Sequence, residues 1–225
     1  MYALYDRYYG GGDATTFRAD LAQKSHVIWL SEGPRVRGFS TLATQTFRTS
    51  THEARAVFSG DTIIDHEYWG EQALARAFSR FAGGLKAERP AQPLYWFLIT
   101  KGYRTYRYLH AFAHRYFPHP HEATPPEMQA CMDTLAKSRF GDAYRADLGI
   151  VRFDPVRGYL RAPWSGIRAG LQPRPEVRLF LDRNAGYVDG DELVCLTELS
   201  ESNLRSIARR EFLCGYDDGR RTVAA

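Results

Sequence analysis

Short apolar runs and alternating stretches along the chain predict the strands. HVIWLSE and LYWFLIT are compact apolar runs, and VRGFSTLATQTF alternates as a strand with one buried face does. The uninterrupted apolar character of LYWFLIT predicts a central strand buried on both faces. The predicted strands cover residues 26–32, 36–47, 53–64, 94–100, 149–153, 177–184 and 192–199. Turn chemistry in EGPR joins the first two as a hairpin, and Gly60 indicates a bulge in the third.

A period of three to four residues predicts the helices. In EQALARAFSRFAGGLKAE, Leu74, Phe78, Phe81 and Leu85 recur on one face. The predicted helices cover residues 15–25, 71–88, 103–116, 125–140 and 202–213. Thr15 or Thr16 is the expected cap of the first helix.

The order of these elements predicts the fold class. Consecutive early strands favour antiparallel pairing, whereas the strand–helix–strand–helix centre favours one parallel pair. We therefore expect a mixed α/β fold with a mostly antiparallel central sheet flanked by helices. Residues 177–199 are predicted to form a closing hairpin around the NAGYVDGD turn. Residues 1–225 are expected to form one domain, with a helical and loop insert at 118–176 and a polar tail at 214–225.

Charge narrows the choice of partners only moderately. The 225 residues carry a formal net charge of +4, which favours an anionic partner such as a phosphate, an acidic carrier protein or a nucleic acid. The arginines are spread along the whole chain rather than gathered in a stripe, so a nucleic acid is the least expected of the three partners. No apolar run reaches the ~20 residues that span a bilayer, and MYALYDRYYGGG lacks the features of a signal peptide. We therefore expect a cytoplasmic protein without a membrane span.

The cysteines and histidines do not predict a metal site. The three cysteines show no CxxC spacing. His110 and His114 are four residues apart, but the glutamate of an HExxH motif is missing. We expect no metal.

The stretch IIDHEYWGEQALARAF joins a predicted strand to a predicted helix through one glycine. A strand that enters a helix through a glycine turn is a frequent phosphate cradle, because free backbone amides meet there at the helix N-terminus. The residues that could supply this contact are Trp69, Gly70, Glu71, Gln72 and Ala73, with Lys101, Arg104 and Arg107 on the following helix.

The order of the predicted strands and helices, with its centre at residues 53–117, resembles that of the GCN5-related N-acetyltransferase superfamily. ARAVFSGDTIIDHEYWGEQALARAFSRFA is similar to the family's fourth strand, phosphate turn and helix, and LYWFLITKGYRTYRYLHAFAHRYF to its fifth strand and following helix. The resemblance implies a slot between these strands for a thioester co-substrate, either acyl-coenzyme A or a phosphopantetheine thioester. The family turn reads Q/R-x-x-G-x-G/A, but this chain has Trp69, Gln72 and Leu74 at the defining positions. Side chains at 72 and 74 would crowd a diphosphate, so a carrier-protein donor stands beside acyl-coenzyme A.

Acyl transfer to an amine needs a base for the ammonium proton and an acid for the leaving thiolate. Asp61, Asp65 and Glu67 lie on or beside the fourth strand, and Asp61 stands inside it, where acids are disfavoured. The resemblance further implies a tyrosine acid on the next helix, for which Tyr106 is our choice.

The sequence thus predicts an N-acyltransferase that moves an acyl group from a thioester to a small amine by direct attack. The alternative is a non-catalytic ligand- or protein-binding module of the same fold with a degenerate coenzyme A site. The acceptor, the acyl chain and the oligomeric state stay open.

Overall fold

A computed structural model describes residues 1–223, so residues 224 and 225 of the expected tail lie outside the described residues. The strands are β1 Tyr9–Gly10, β2 His26–Glu32, β3 Arg35–Arg48, β4 Glu53–Ile64, β5 Leu94–Thr100, β6 Tyr144–Arg145, β7 Ile150–Val151, β8 Tyr159–Leu160 and β9 Glu192–Glu198. The helices are α1 Tyr2–Tyr8, α2 Ala14–Leu21, α3 Ala73–Glu88, α4 Tyr103–Phe112, α5 Pro126–Phe140, α6 Pro175–Arg183 and α7 Ser206–Val223.

A seven-stranded sheet runs in the order β2-β3-β4-β5-β9-β7-β6, and β1 pairs with β8 outside it. Within the large sheet β4 and β5 are parallel, and the other neighbours are antiparallel. The predicted class, a mixed α/β fold with a mostly antiparallel sheet and flanking helices, is therefore confirmed. The early hairpin and the strands at 53–64 and 94–100 are confirmed as well.

The central strand β5 divides the core into two apolar layers. Trp96 and Leu98 pack on one face with Phe78 of α3 and Phe112 of α4. Phe97 packs on the other face with Leu135 and other residues of α5. Both faces of β5 are thus buried, as its continuous apolar run predicts.

The predicted closing hairpin is wrong. Residues 177–184 belong mostly to α6, and β9 pairs with β5 and β7. In PEVRLFLDR, Pro175 stands at a first helical position, Glu176 in the first turn and Arg183 in the last, all favourable for a helix. Val177 and Phe180, three residues apart, are both fully buried. The residues that favour the start and end of a helix therefore decide the structure of this segment, although its apolar residues also alternate as in a strand.

Several helix limits also differ from the predicted ones. Asp13, rather than Thr15 or Thr16, caps α2 by accepting a hydrogen bond from the Thr16 amide at 2.7 Å. The helix predicted for 103–116 ends at Phe112 because Ala113 turns extended and pairs with Leu204. The last helix starts at Ser206 and runs to Val223, so much of the expected polar tail is helical.

Glycines let α3 and α7 pack with their backbones in contact. A Cβ atom on Gly83 would collide with the Phe212 carbonyl oxygen, and one on Gly215 would collide with that of Arg80. The Arg80 guanidinium also pairs with Asp218 at 2.6 Å across this contact. The close approach fixes α3, and with it the turn at the helix N-terminus.

Candidate functional site

The two parallel strands separate halfway along their length. β4 and β5 are paired from Arg55 and Leu94 to Ser59 and Leu98. Beyond that point β4 remains bonded to β3, whereas β5 continues along β9. Residues 60–64 therefore keep one strand neighbour, and every second N–H and C=O group faces the opening. A cavity of about 870 Å³ fills the gap and is lined by both strands.

A β-bulge lies where the separation begins. Ser40 pairs with Thr62 and Leu42 with Ser59, so Gly60 and Asp61 together oppose Thr41. This confirms the bulge predicted at Gly60. A Cβ on Gly60 would lie 2.7 Å from Lys24 Cε and 2.8 Å from Thr41 Oγ1. The absence of a side chain at Gly60 thus lets Lys24, in the segment after α2, pack directly on β4.

Asp61 lines the cavity as an ionisable group with altered acidity. Burial, together with the negative charge of Asp20, raises the pKa of the Asp61 carboxyl to about 6, against the opposing effect of Lys24 and Lys101. Both ammonium groups already have acidic partners. Lys24 pairs with Asp20, and Lys101 pairs with Glu192 at 3.1 Å. Asp61 is left as a carboxylate without an ion pair among the described residues and with a pKa near neutrality.

The other two acids proposed as bases stand outside the cavity lining. Asp65 is buried, accepts a hydrogen bond from Arg7 at 2.8 Å and another from the Tyr8 hydroxyl at 3.1 Å. Despite burial, the hydrogen bond from Tyr8 and the nearby charge of Arg7 lower its pKa. The Glu67 side chain is 62% exposed and lies 3.7 Å from Arg37. Asp65 therefore fastens α1 to the end of β4, and Glu67 faces solvent.

Tyr106 does not reach the cavity. It is fully buried, and its hydroxyl donates to the Pro118 carbonyl at 2.8 Å. Tyr108, two residues later on α4, lines the cavity beside Trp96, at 6.3 Å between ring centroids. Burial raises the pKa of Tyr108 to about 12, and its hydroxyl has no hydrogen-bond partner among the described residues. Among the tyrosines of α4, Tyr108 is the one that lines the cavity.

Some of the backbone amides in the turn between β4 and α3 are already engaged within the turn. The amides of Trp69 and Glu71 donate within the turn to His66 and Tyr68, at 3.3 and 3.2 Å. Leu74 is buried and lines the cavity, together with Trp69, Gly70, Glu71 and Gln72. Ala73 is exposed and does not line it. The turn faces the cavity, and the side chains of Trp69, Glu71, Gln72 and Leu74 line it.

The three basic residues after β5 divide between different roles. Lys101 lines the cavity and also donates to the Gly158 carbonyl at 3.0 Å. The guanidinium of Arg104 lies 4.7 Å from the Trp69 ring centroid and donates to the Trp164 carbonyl at 2.6 Å. Arg107 turns towards α6 and pairs with Glu176 at 3.2 Å. Although Arg104 and Arg107 are three residues apart on the helix, their side chains turn to different partners and do not face a common ligand.

Sequence reasoning missed several residues that line the cavity. They come from the N-terminal segment, α5 and the insert, and include Tyr5, Tyr9, Lys24, Arg139, Phe140, Phe153, Arg157 and Trp164. Their positions depend on how distant segments pack across the sheet, which no local pattern encodes. The scarcity of lysine is the one signal that could have singled out Lys24, because the chain has only four lysines.

Two searches of the described residues concern other kinds of site. No group of three or more histidine, cysteine, aspartate or glutamate side chains among residues 1–223 is arranged to hold a metal ion. Within the same residues, no helix combines the length and apolar character needed to cross a membrane.

No family model and no curated protein matches the chain. Among solved structures, a match is a mutant of the toxin AtaT bound to acetyl-CoA and to the C-terminus of the antitoxin AtaR. The identity is 18%, the TM-score is 0.27, and the match covers 34% of this chain and 50% of that chain. The chain thus matches half the length of that toxin, and a likeness at this TM-score carries no conclusion about activity.

Proposed function

We propose that the chain is an acyltransferase that moves an acyl group from a pantetheine thioester to an amine. The observation that carries this proposal is the opening of β4 from β5 at Ser59 and Leu98 into a cavity that holds Asp61. A free strand edge can bind the amides of a pantetheine arm as an added strand would. The resemblance of the element order to the acetyltransferase superfamily supports the same proposal.

The chemistry needs one proton acceptor and one proton donor. Asp61, with its pKa of about 6, takes the proton of the attacking ammonium and frees the amine nitrogen. The nitrogen then attacks the thioester carbonyl, and the carbon–sulfur bond breaks. Tyr108 gives its hydroxyl proton to the departing thiolate. The nitrogen releases its second proton as the amide forms, and that proton returns to the Tyr108 phenolate through solvent. Asp61 releases the first proton to solvent. Free N–H groups on β4 stabilise the oxyanion of the tetrahedral intermediate.

The donor test compares three thioesters that share a pantetheine arm: acetyl-coenzyme A, octanoyl-coenzyme A and acetyl-pantetheine. Each should raise the melting temperature, because a ligand that binds only the folded state stabilises it. The crowded turn offers little to a diphosphate, so acetyl-pantetheine should bind within about tenfold of acetyl-coenzyme A. If none of the donors shifts the melting temperature, the acyltransferase proposal fails.

Turnover separates the enzyme from a binding module of the same fold. The engaged amides of Trp69 and Glu71 favour this second candidate, because they weaken the donor site. Donor, protein and a pool of primary amines are incubated, and acylated products are detected by mass spectrometry. An enzyme gives products that are lost in the Asp61→Asn variant. A module binds a donor without consuming it.

A further inference from the structure

A row of three phenylalanine rings forms the end of the cavity that faces α5. Phe58 of β4 lies 5.8 Å from Phe140, and Phe140 lies 6.0 Å from Phe153, measured between ring centroids. All three line the cavity. This end is on the opposite side of the sheet from Trp96 and Tyr108, because Phe58 packs with the α5 layer of the core.

Arg139 of α5 reaches into this end of the cavity without a partner. Its guanidinium carbon lies 4.0 Å from the centroid of Phe58. Among residues 1–223, no hydrogen bond or ion pair to its side chain occurs, although the chain contains many arginines that do pair. Burial lowers the pKa of Arg139, and Asp20 partly opposes this effect. The guanidinium stays cationic at neutral pH and feels the charge of Asp20, but it has lost hydration without gaining a hydrogen bond or a direct ion pair among the described residues.

The residues around Arg139 leave its charge available. Lys24 lies 5.7 Å from the same Phe58 ring, but Asp20 neutralises it. Arg157 stacks on Phe153 at 4.4 Å and is exposed at the rim, where it adds positive charge to the entrance. Asp61 follows Phe58 by three positions along β4 and turns into the same cavity. The phenylalanine that Arg139 contacts and the proposed base Asp61 thus lie on the same strand, three positions apart.

We propose that the amine acceptor carries a carboxylate, which the Arg139 guanidinium binds while the amine of the same molecule lies at Asp61. This inference rests on the acyltransferase function and names its acceptor class, an amino acid or another amino-carboxylate. A guanidinium presents two parallel N–H groups that fit the two oxygens of a carboxylate. The phenylalanine row provides the apolar surface for the body of such an acceptor.

The test is a paired acceptor panel. α-Amino acids and ω-amino acids of increasing length are each compared with the corresponding carboxamide, which keeps the amine but removes the negative charge. O-phosphoethanolamine is compared with ethanolamine to detect a preference for phosphate. Binding is measured by calorimetry with and without coenzyme A, and initial rates are measured with a donor that turns over. At least one carboxylate should bind about tenfold or more tightly than its carboxamide, the effect expected for a charged hydrogen-bonded pair.

Variants of Arg139 test whether this residue causes the preference for the carboxylate over the carboxamide. Arg139→Gln should remove the preference for the carboxylate and leave carboxamide binding unchanged, and Arg139→Lys should restore part of it. Arg178→Gln, on the exposed face of α6, is the matched control and should bind as the unmodified protein does. The inference is overturned if no carboxylate exceeds its carboxamide, if the phosphate alone is preferred, or if Arg139→Gln keeps the preference.

The two proposals fail in different measurements. If the acyltransferase function is wrong, no donor is consumed, whereas the calorimetric preference for carboxylates can persist. If only the acceptor inference is wrong, donors are consumed and the carboxamides react as well as the carboxylates. Arg139 makes no hydrogen bond or ion pair among the described residues, and its contact is with the Phe58 ring. Its loss should therefore change the melting temperature by no more than about 8 °C, and the protein should stay folded at the assay temperature.

Discussion

Asp61→Asn should make the protein more stable while it removes activity. Burial raises the pKa of Asp61 from 3.8 to about 6, so the folded state resists the ionised carboxylate. A shift of this size corresponds to an upper limit of about 3 kcal/mol. For a domain of this length, that gain in the free energy of unfolding is about 6–12 °C in melting temperature. Lys24 and Lys101 keep Asp20 and Glu192 as partners, so the substitution leaves neither ammonium unpaired.

The sign of the effect depends on pH in a definite way. Above pH 6 both folded and unfolded chains carry the ionised Asp61, and the folded chain bears the full cost of burying it. Between pH 6 and about 4 the folded carboxyl takes up a proton while the unfolded one does not, so the cost falls. Below pH 4 the cost of burying an ionised Asp61 is absent. The stability advantage of Asp61→Asn should therefore be largest at pH 8 and close to zero near pH 4.

The assay is thermal unfolding of both proteins at half-unit steps from pH 4 to 8, followed by circular dichroism. Other titrating groups cancel in the difference between the two proteins. In the unmodified protein, kcat/KM should also rise tenfold per pH unit below about 6 and then level off, and Asp61→Asn should lower it about 100-fold or more. If the difference in melting temperature between the two proteins does not change across this pH range, the raised pKa of Asp61 is refuted.

Three further predictions use matched or pH-resolved comparisons. Tyr108→Phe should lower kcat about 10–100-fold with little change in melting temperature, whereas Tyr106→Phe should keep the rate and lose about 1 kcal/mol of stability with its hydrogen bond to Pro118. Equal rates for both variants would remove Tyr108 from the mechanism. Gly83→Ala should unfold at much lower denaturant concentration, because its methyl group meets the Phe212 backbone. Gly84→Ala should be neutral or stabilising, because its methyl group would lie in ordinary contact, 3.8 Å from the Gly215 carbonyl oxygen. Asp65→Asn should lose about 1–3 kcal/mol at pH 7, a deficit that shrinks as pH falls below about 4, since the folded-state pKa of Asp65 is lowered; a pH-independent deficit would contradict this.

The sequence predicts the centre of this fold well because local patterns there are unambiguous. The run 94–100 has no polar interruption, and the helix at 71–88 repeats its apolar positions over several turns. PEVRLFLDR is different, since Val177, Leu179 and Leu181 alternate while Val177 and Phe180 follow a helical step. Two periods fit the same residues, and only packing against α4 decides between them.

The same contrast applies to the site. Asp61 is recognisable in the sequence because an acid inside an apolar strand contradicts strand preference and needs a reason. Tyr106 and Tyr108 cannot be ranked without the phase of α4, which is set by contacts with α6 and β5. Arg139 gives no signal at all, because nothing in PEMQACMDTLAKSRF indicates that α5 will lay one arginine on a phenylalanine of β4.

The altered turn and the intact strand opening together indicate where a donor gains its binding energy. At the turn, Trp69 donates its indole N–H to the Ile64 carbonyl at 2.8 Å, and Arg104 covers the ring. Glu71 adds a negative charge at the place where a diphosphate would lie, and the amides of 69 and 71 are already bonded. The first-turn amides of α3 remain as the weak anion site of any helix N-terminus. The opening between β4 and β5 requires none of these groups, because its donors and acceptors are the free edges of the strands. On the proposed function, the affinity for a donor should therefore rest on its pantetheine arm, and selection against donors that lack the adenosine diphosphate should be small.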